Sequence, residues 1–117
     1  MQSAAHDTTV RELSITGQDR LVHLAGLLEA TRDEDFNMSR WDRCALGVAG
    51  GDPWCQAQGF DLVGRGAPRY DGYKGFEAAA QFFGTSVSEA RWLFGGAGYG
   101  RVPTAQDVAA RLRSHLN

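Results

Sequence analysis

Glycine placement limits what this chain can fold into. Fifteen of its 117 residues are glycine, and most of them stand between segments whose apolar residues recur with helical spacing. A glycine just after such a segment favours the left-handed backbone conformation that ends a helix. The chain is therefore expected to form many short elements joined by tight turns, and not a few long ones.

Six segments carry the signals of helices. Apolar residues recur at i, i+3, i+4 and i+7 within most of them, which places those residues on one helical face. Ser39, Ser86 and Thr104 each have an acid three positions later, as in a capping box, and Asp52-Pro53 is a further start signal. The predicted helices span residues 17–31, 39–49, 53–58, 76–83, 87–94 and 105–116.

A small β element is predicted between the third and fourth helices. Phe60 and Leu62 alternate with polar neighbours as in a short strand, and Asp71-Gly72 between two tyrosines is the strongest hairpin turn in the chain. The sequence thus predicts a mainly α fold, a compact bundle of five or six short helices with a small β-hairpin or extended loop. Residues 1–10 are expected to be a mobile tail, 11–16 a short strand or extended lead-in, and 11–117 a single helical domain.

The apolar faces of these helices define an expected core. Cys44 lies on the apolar face of the predicted second helix, where a buried thiol acts as a small hydrophobe. The residues expected in one buried cluster are Leu24, Leu28, Trp41, Phe76, Ala80, Phe83, Trp92, Val108 and Leu112.

Composition argues against several classes of function. Twelve basic and fourteen acidic side chains give a net charge of −2, which provides no overall attraction to nucleic acid or to an anionic membrane. No apolar stretch is long enough to cross a bilayer, and the N-terminus lacks the apolar core of a signal peptide. With only two cysteines, the chain is expected to be a cytoplasmic protein with reduced thiols and no membrane association.

The cysteines and histidines show no metal-site spacing. Ten residues separate Cys44 from Cys55, whereas paired zinc ligands usually stand two to four residues apart. The sequence therefore predicts no metal, no cofactor and no assigned catalytic residue. A nucleophilic site can still be assembled on paper from Cys44 or Cys55 with His23 and an aspartate, so a small cysteine-dependent enzyme stays open as a third hypothesis.

The segment 76–94 has the layout of a helix-turn-helix, with Ala80, Gly84 and Ser86 at the expected offsets. In that arrangement Ser88 and Arg91 would face a DNA major groove. The second helix is barely two turns long, and its polar residues include an acid and a single base. A DNA-binding regulator is therefore the second hypothesis, and nucleic acid is not the favoured partner.

The leading hypothesis comes from the turn-rich segment between the third and fourth helices. Loops on a rigid scaffold often carry binding residues, and tyrosine with arginine commonly anchors interfaces. The arginines, lysine and tyrosines of this segment favour a non-enzymatic interaction module that binds another protein, although an anionic ligand is also compatible with them. The predicted binding residues are Arg65, Arg69, Tyr70, Tyr73 and Lys74.

Several runs of sequence together resemble a family of small bacterial and phage proteins of uncharacterised function. The runs are FNMSRW, CALGVA, GFEAAAQFFG and EARWLF, followed by Tyr99 and the VAARLR helix, so the resemblance covers residues 17–116. Many members have a second cysteine before the one that matches Cys44 and a tryptophan in place of Val48, and this chain has neither. The resemblance implies a bacterial or phage protein, such as an accessory or regulatory factor. It implies no activity and no functional residue for this chain.

Overall fold

The computed structural model of the chain describes residues 15–96 and 98–117, so the predicted tail and most of the lead-in before Thr16 lie outside the described residues. The described chain is mainly α, with an antiparallel sheet of three strands in chain order between its third and fourth α-helices, and this confirms the predicted fold class. A single 3-10 turn, Asp33–Asp35, follows the first helix. The elements are α1 Gly17–Glu29, α2 Ala45–Gly50, α3 Pro53–Ala57, β1 Asp61–Leu62, β2 Pro68–Tyr70, β3 Tyr73–Lys74, α4 Gly75–Phe83, α5 Val87–Phe94 and α6 Ala105–Leu116.

Reciprocal capping boxes begin three of the helices. In each box the hydroxyl accepts from the backbone N–H of the acid, and the carboxylate accepts from the backbone N–H of the Ser or Thr. In Asp107 the hydrogen bond from Arg101, together with that from the Thr104 backbone, lowers the pKa of the carboxyl to about 2. The three boxes, at α1, α5 and α6, are Thr16–Asp19, Ser86–Glu89 and Thr104–Asp107.

The second predicted helix begins later than expected, at Ala45 and not at Ser39. The Ser39 N–H donates to Asn37 Oδ1, and the Asn37 N–H donates to the carbonyl of Arg43, so this stretch closes on itself as a series of turns. Asp42 pairs with Arg40 and does not complete a capping box with Ser39. The prediction of a helix over 39–49 was therefore wrong in its first six residues, because local side-chain hydrogen bonds compete with the helix.

The predicted hairpin forms between β2 and β3. Tyr70 pairs with Tyr73, and Asp71 and Gly72 connect them with φ angles of 52° and 85°. Positive φ at both positions of a two-residue loop is the type I′ geometry that Asp-Gly favours. The hairpin places both tyrosines and Lys74 on one short β element.

An aromatic cluster joins this sheet to the helices. We define the aromatic cluster as Phe60, Tyr70, Phe82, Phe83 and Phe94. Phe60 stacks on Phe82 with ring centroids 4.5 Å apart, and Phe83 lies 5.0 Å from Phe82 and 5.2 Å from Phe94. Phe60, Phe82 and Phe83 are fully buried, and such ring pairs stabilise a core beyond the area they bury.

Helix α1 packs against both α6 and α4. The guanidinium of Arg20 lies 4.2 Å from the ring centroid of Phe82 and donates to the Phe82 carbonyl over 2.8 Å. At the start of α1 a Cβ on Gly17 would collide with the carbonyl oxygen of Phe83. This close approach of α1 to α4 therefore requires glycine at position 17.

Most of the expected core is buried, with Trp92 as the clear exception. Trp41 and Phe76 are half-buried, whereas Trp92 is 50% exposed, so its predicted burial was wrong. Helix α5 turns Ala90, Leu93 and Phe94 inward, and position 92 lies on the other side of the helix. The guanidinium of Arg111 covers the Trp92 ring at 4.1 Å. The expected residues found fully buried are Leu24, Leu28, Ala80, Phe83, Val108 and Leu112.

Within residues 15–96 and 98–117, no helix combines the length and the apolar character that a membrane span requires.

Truncating Phe83 tests this core. We expect Phe83→Ala to lower the free energy of unfolding by about 3–5 kcal/mol, because a buried aromatic side chain leaves a cavity. Phe76→Ala is the matched control, and because Phe76 is half-buried it should cost only about 1–2 kcal/mol. Urea denaturation followed by circular dichroism measures both, and equal losses would contradict the proposed centre of the core.

Candidate functional site

A pocket of about 390 Å³ opens beside the β2–β3 hairpin. Four of the five predicted binding residues line it, and only Arg65, which is exposed in the turn between β1 and β2, lies outside its lining. We call this the hairpin pocket, and its lining residues are Gly59, Asp61, Arg69, Tyr70, Asp71, Gly72, Tyr73 and Lys74.

Tyr70 forms the fixed wall of the hairpin pocket. Its half-buried ring meets Phe82 edge-to-face at 5.0 Å, and the guanidinium of Arg20 lies 5.7 Å from its centroid. On the pocket side, a Cβ on Gly59 would stand 3.8 Å from the same ring, so the absence of a side chain there leaves the ring accessible. Tyr70 is thus held by the core while part of its surface faces the pocket.

Tyr73 and Lys74 form the open rim. Tyr73 is 40% exposed, and both residues belong to β3, which pairs with β2 and with no other strand of the described chain. Tyr73 closes the two-residue turn opposite Tyr70, and Lys74 is the N-cap residue of α4. The rim therefore offers an accessible aromatic ring and a lysine side chain, whereas its backbone is largely engaged by the hairpin and the helix.

Opposite charges balance in the hairpin pocket. Arg69 Nε lies 2.8 Å from Asp61 Oδ1, and this hydrogen bond and charge raise the pKa of the Arg69 guanidinium. Among the described residues, neither Lys74 nor Asp71 takes part in an ion pair within 4.0 Å. Two acids and two bases line the pocket, so its charge does not favour an anionic ligand.

Helices α4 and α5 form the predicted helical hairpin. Gly84 ends α4 with φ 71°, and Ser88 and Arg91 are exposed on α5, as the DNA-binding interpretation requires. Glu89 is exposed on the same helix, and the guanidinium of Arg91 lies 5.7 Å from the ring centroid of Phe76. The exposed face of α5 therefore offers a single base beside an acid.

The structure brings His23, Asp52 and Cys55 together, although α1 carries the first and the start of α3 the other two. His23 Nε2 lies 2.9 Å from Asp52 Oδ2, and the same oxygen accepts from the Cys55 N–H over 3.1 Å as the cap of α3. The His23 ring packs against Trp54, with centroids 4.2 Å apart. Burial alone would raise the pKa of the Asp52 carboxyl, but the hydrogen bonds from His23 and Cys55 outweigh burial and lower this pKa.

Neither thiol has the surroundings of a nucleophile. Burial, with the charge of Asp52, raises the pKa of Cys55 to about 12, and burial also raises the pKa of Cys44. Both side chains are buried, and Cys44 Sγ lies 3.6 Å from the carbonyl of Trp41. Reactive cysteines are accessible and ionise easily, so this geometry does not favour the cysteine-enzyme hypothesis.

Two residues of the hairpin pocket were predicted neither as binding residues nor as part of the hairpin turn, and the grouping of His23 with Cys55 and an aspartate was predicted only without naming Asp52. Asp61 and Gly59 complete the hairpin pocket, and the signal for Asp61 was available, since a β1–β2 pairing places it opposite Arg69. The pairing of His23 with Asp52 left no local signal, because 29 residues separate them.

Comparison with protein-family models, with curated proteins and with solved structures finds no match to this chain. Only the sites themselves therefore bear on the function of the protein.

The two tyrosines of the hairpin should differ in their contribution to stability. We expect Tyr70→Ala to cost about 2 kcal/mol, because its ring packs on Phe82, and Tyr73→Ala to cost about 0.5 kcal/mol or less. Thermal and urea unfolding of both variants measure the difference. An equal loss for Tyr73→Ala would show that this ring closes the hairpin over the core and is not available for binding.

Proposed function

We propose that this protein is a non-enzymatic interaction module that binds a segment of another protein at the hairpin pocket. The observation that carries the proposal is the coincidence of the pocket with the aromatic and basic residues of the hairpin. Arg69, Tyr70, Tyr73 and Lys74 all contribute to its lining.

The chemistry of the hairpin pocket favours a polypeptide over a small anion. Its balanced charges give no electrostatic preference for phosphate or carboxylate alone. The exposed Tyr73 ring can pack against a side chain of a bound segment, while the pocket beside it accepts another. Its volume of about 390 Å³ lies at the lower end of ligand pockets and suits one or two side chains.

The fixed and exposed parts of the pocket have separate roles in this proposal. Tyr70 is ordered by the core before a partner arrives, so little conformational entropy is lost when its surface is covered. Tyr73 supplies an accessible ring, and Lys74 supplies a charge that selects an acidic neighbour on the partner. We propose that such a module acts in the bacterial cytoplasm, as an accessory or phage-related regulatory factor.

A DNA-binding regulator is the second candidate, and the exposed Ser88 and Arg91 on a capped α5 are the observation that favours it. Phosphate contacts dominate DNA affinity, and one base beside Glu89 supplies little of that attraction. We therefore expect no measurable binding to duplex DNA at physiological salt.

Affinity capture with three forms of the full chain separates these candidates. The wild-type protein, Tyr73→Ala and Arg91→Ala are each used to capture partners from a bacterial lysate, and any partner found is purified and titrated against all three. We expect Tyr73→Ala to weaken binding of that partner at least about tenfold, because it removes an aromatic anchor, while Arg91→Ala leaves binding unchanged.

Two outcomes would contradict the proposal. Equal affinity of the purified partner for the wild-type protein and for Tyr73→Ala would place the interface elsewhere. A salt-dependent shift of duplex DNA that Arg91→Ala abolishes would favour the DNA-binding alternative.

A further inference from the structure

Three metal-ligand side chains meet on the side of the molecule formed by α1 and α3. One ligand atom from each of His23, Asp52 and Cys55 lies within 4.8 Å of the other two. The cluster takes one side chain from α1 and two from the beginning of α3, so it joins elements that are distant in sequence. None of these residues lines the hairpin pocket.

The spacing is close to what a single ion needs. Bonds of about 2.0–2.3 Å in a tetrahedral arrangement place two ligand atoms about 3.3–3.8 Å apart. His23 Nε2 and Asp52 Oδ2 are already 2.9 Å apart, so an ion that displaces their hydrogen bond needs only a small separation of the two. No separation among the three exceeds 4.8 Å, so none has to shorten by more than about 1–1.5 Å to reach this range.

The three ligand side chains differ in their exposure to solvent. The side chain of His23 is 33% exposed and that of Asp52 is 12% exposed, whereas Cys55 is fully buried behind them. An ion therefore reaches the imidazole and the carboxylate from solvent and meets the sulfur last. The Oδ2 atom of Asp52 that faces His23 also accepts from the Cys55 N–H as the cap of α3, so an ion bound there shares this oxygen with the cap.

The donor set indicates the class of ion. One thiolate, one imidazole and one carboxylate are the ligands of zinc and of chemically similar divalent ions, whereas magnesium and calcium prefer oxygen alone. We propose that His23, Asp52 and Cys55 form a binding site for a divalent ion of the zinc class, with water in the fourth position. The ion takes the place of the thiol proton of Cys55, which leaves to solvent, and it ties α1 to α3.

Cobalt titration of the full-length, tag-free protein tests the site. Co²⁺ replaces Zn²⁺ in tetrahedral sites, and a thiolate ligand gives it an intense charge-transfer absorption in the near ultraviolet. We expect that band to appear with one equivalent of Co²⁺ and to disappear when Zn²⁺ is added. Zn²⁺ alone should raise the melting temperature, since it binds the folded state.

Three variants identify the ligands. Cys55→Ser should abolish the thiolate band, and His23→Gln should weaken Co²⁺ binding at least about tenfold through the loss of a ligand. Cys44→Ser is the matched control, because it removes the other buried thiol and should leave the band unchanged. His23 is partly exposed, so its variant keeps the test decisive even if Cys55→Ser does not fold.

The proposal is overturned if the wild-type protein shows no thiolate band with excess Co²⁺. It is equally overturned if His23→Gln binds Co²⁺ as tightly as the wild-type protein does, or if Cys44→Ser removes the band.

Discussion

The ring of Phe82 packs against residues of α1, of β2 and of the connection that follows α3, and so holds these separate elements together. It stacks on Phe60, which follows α3, and it meets Tyr70 of β2 edge-to-face. Arg20 of α1 lies over the Phe82 ring and donates to the Phe82 carbonyl. A helix, a strand and the connection from α3 to β1 therefore all pack on one buried side chain of α4, which also holds the Tyr70 wall of the hairpin pocket.

The size of the sheet explains why this dependence is strong. Its strands contain only two or three residues, and so short a sheet is not stable in water by itself. Packing of Tyr70 on the aromatic cluster supplies what the backbone ladder lacks. The proposed binding surface is thus an extension of the core. The core fixes Tyr70, while Tyr73, on the other side of the Asp71-Gly72 turn, remains accessible.

Local chemistry made much of the fold predictable, and non-local contacts account for the rest. The boxes that begin α5 and α6 and the Asp71-Gly72 turn depend on neighbouring residues, so the sequence shows them directly. The predicted start of the second helix at Ser39 was wrong because turn hydrogen bonds compete with a helix there. The predicted burial of Trp92 was wrong because Ala90 and Leu93 occupy the inner face of α5. Six of the eight residues that line the hairpin pocket belong to the local hairpin, and four of them are predicted binding residues. The His23–Asp52–Cys55 cluster depends on how α1 meets α3, which no short motif encodes.

The central claim is that the hairpin is held in place by the contact between Tyr70 and Phe82. A double-mutant cycle tests it most directly, with Tyr70→Ala, Phe82→Leu and the double variant compared by urea denaturation. The account predicts a favourable coupling free energy of about 0.5–1.5 kcal/mol between the two rings, as for other edge-to-face aromatic pairs. A coupling of zero, with the two losses simply additive, would show that the hairpin and its pocket do not depend on the aromatic cluster, and it would contradict the account.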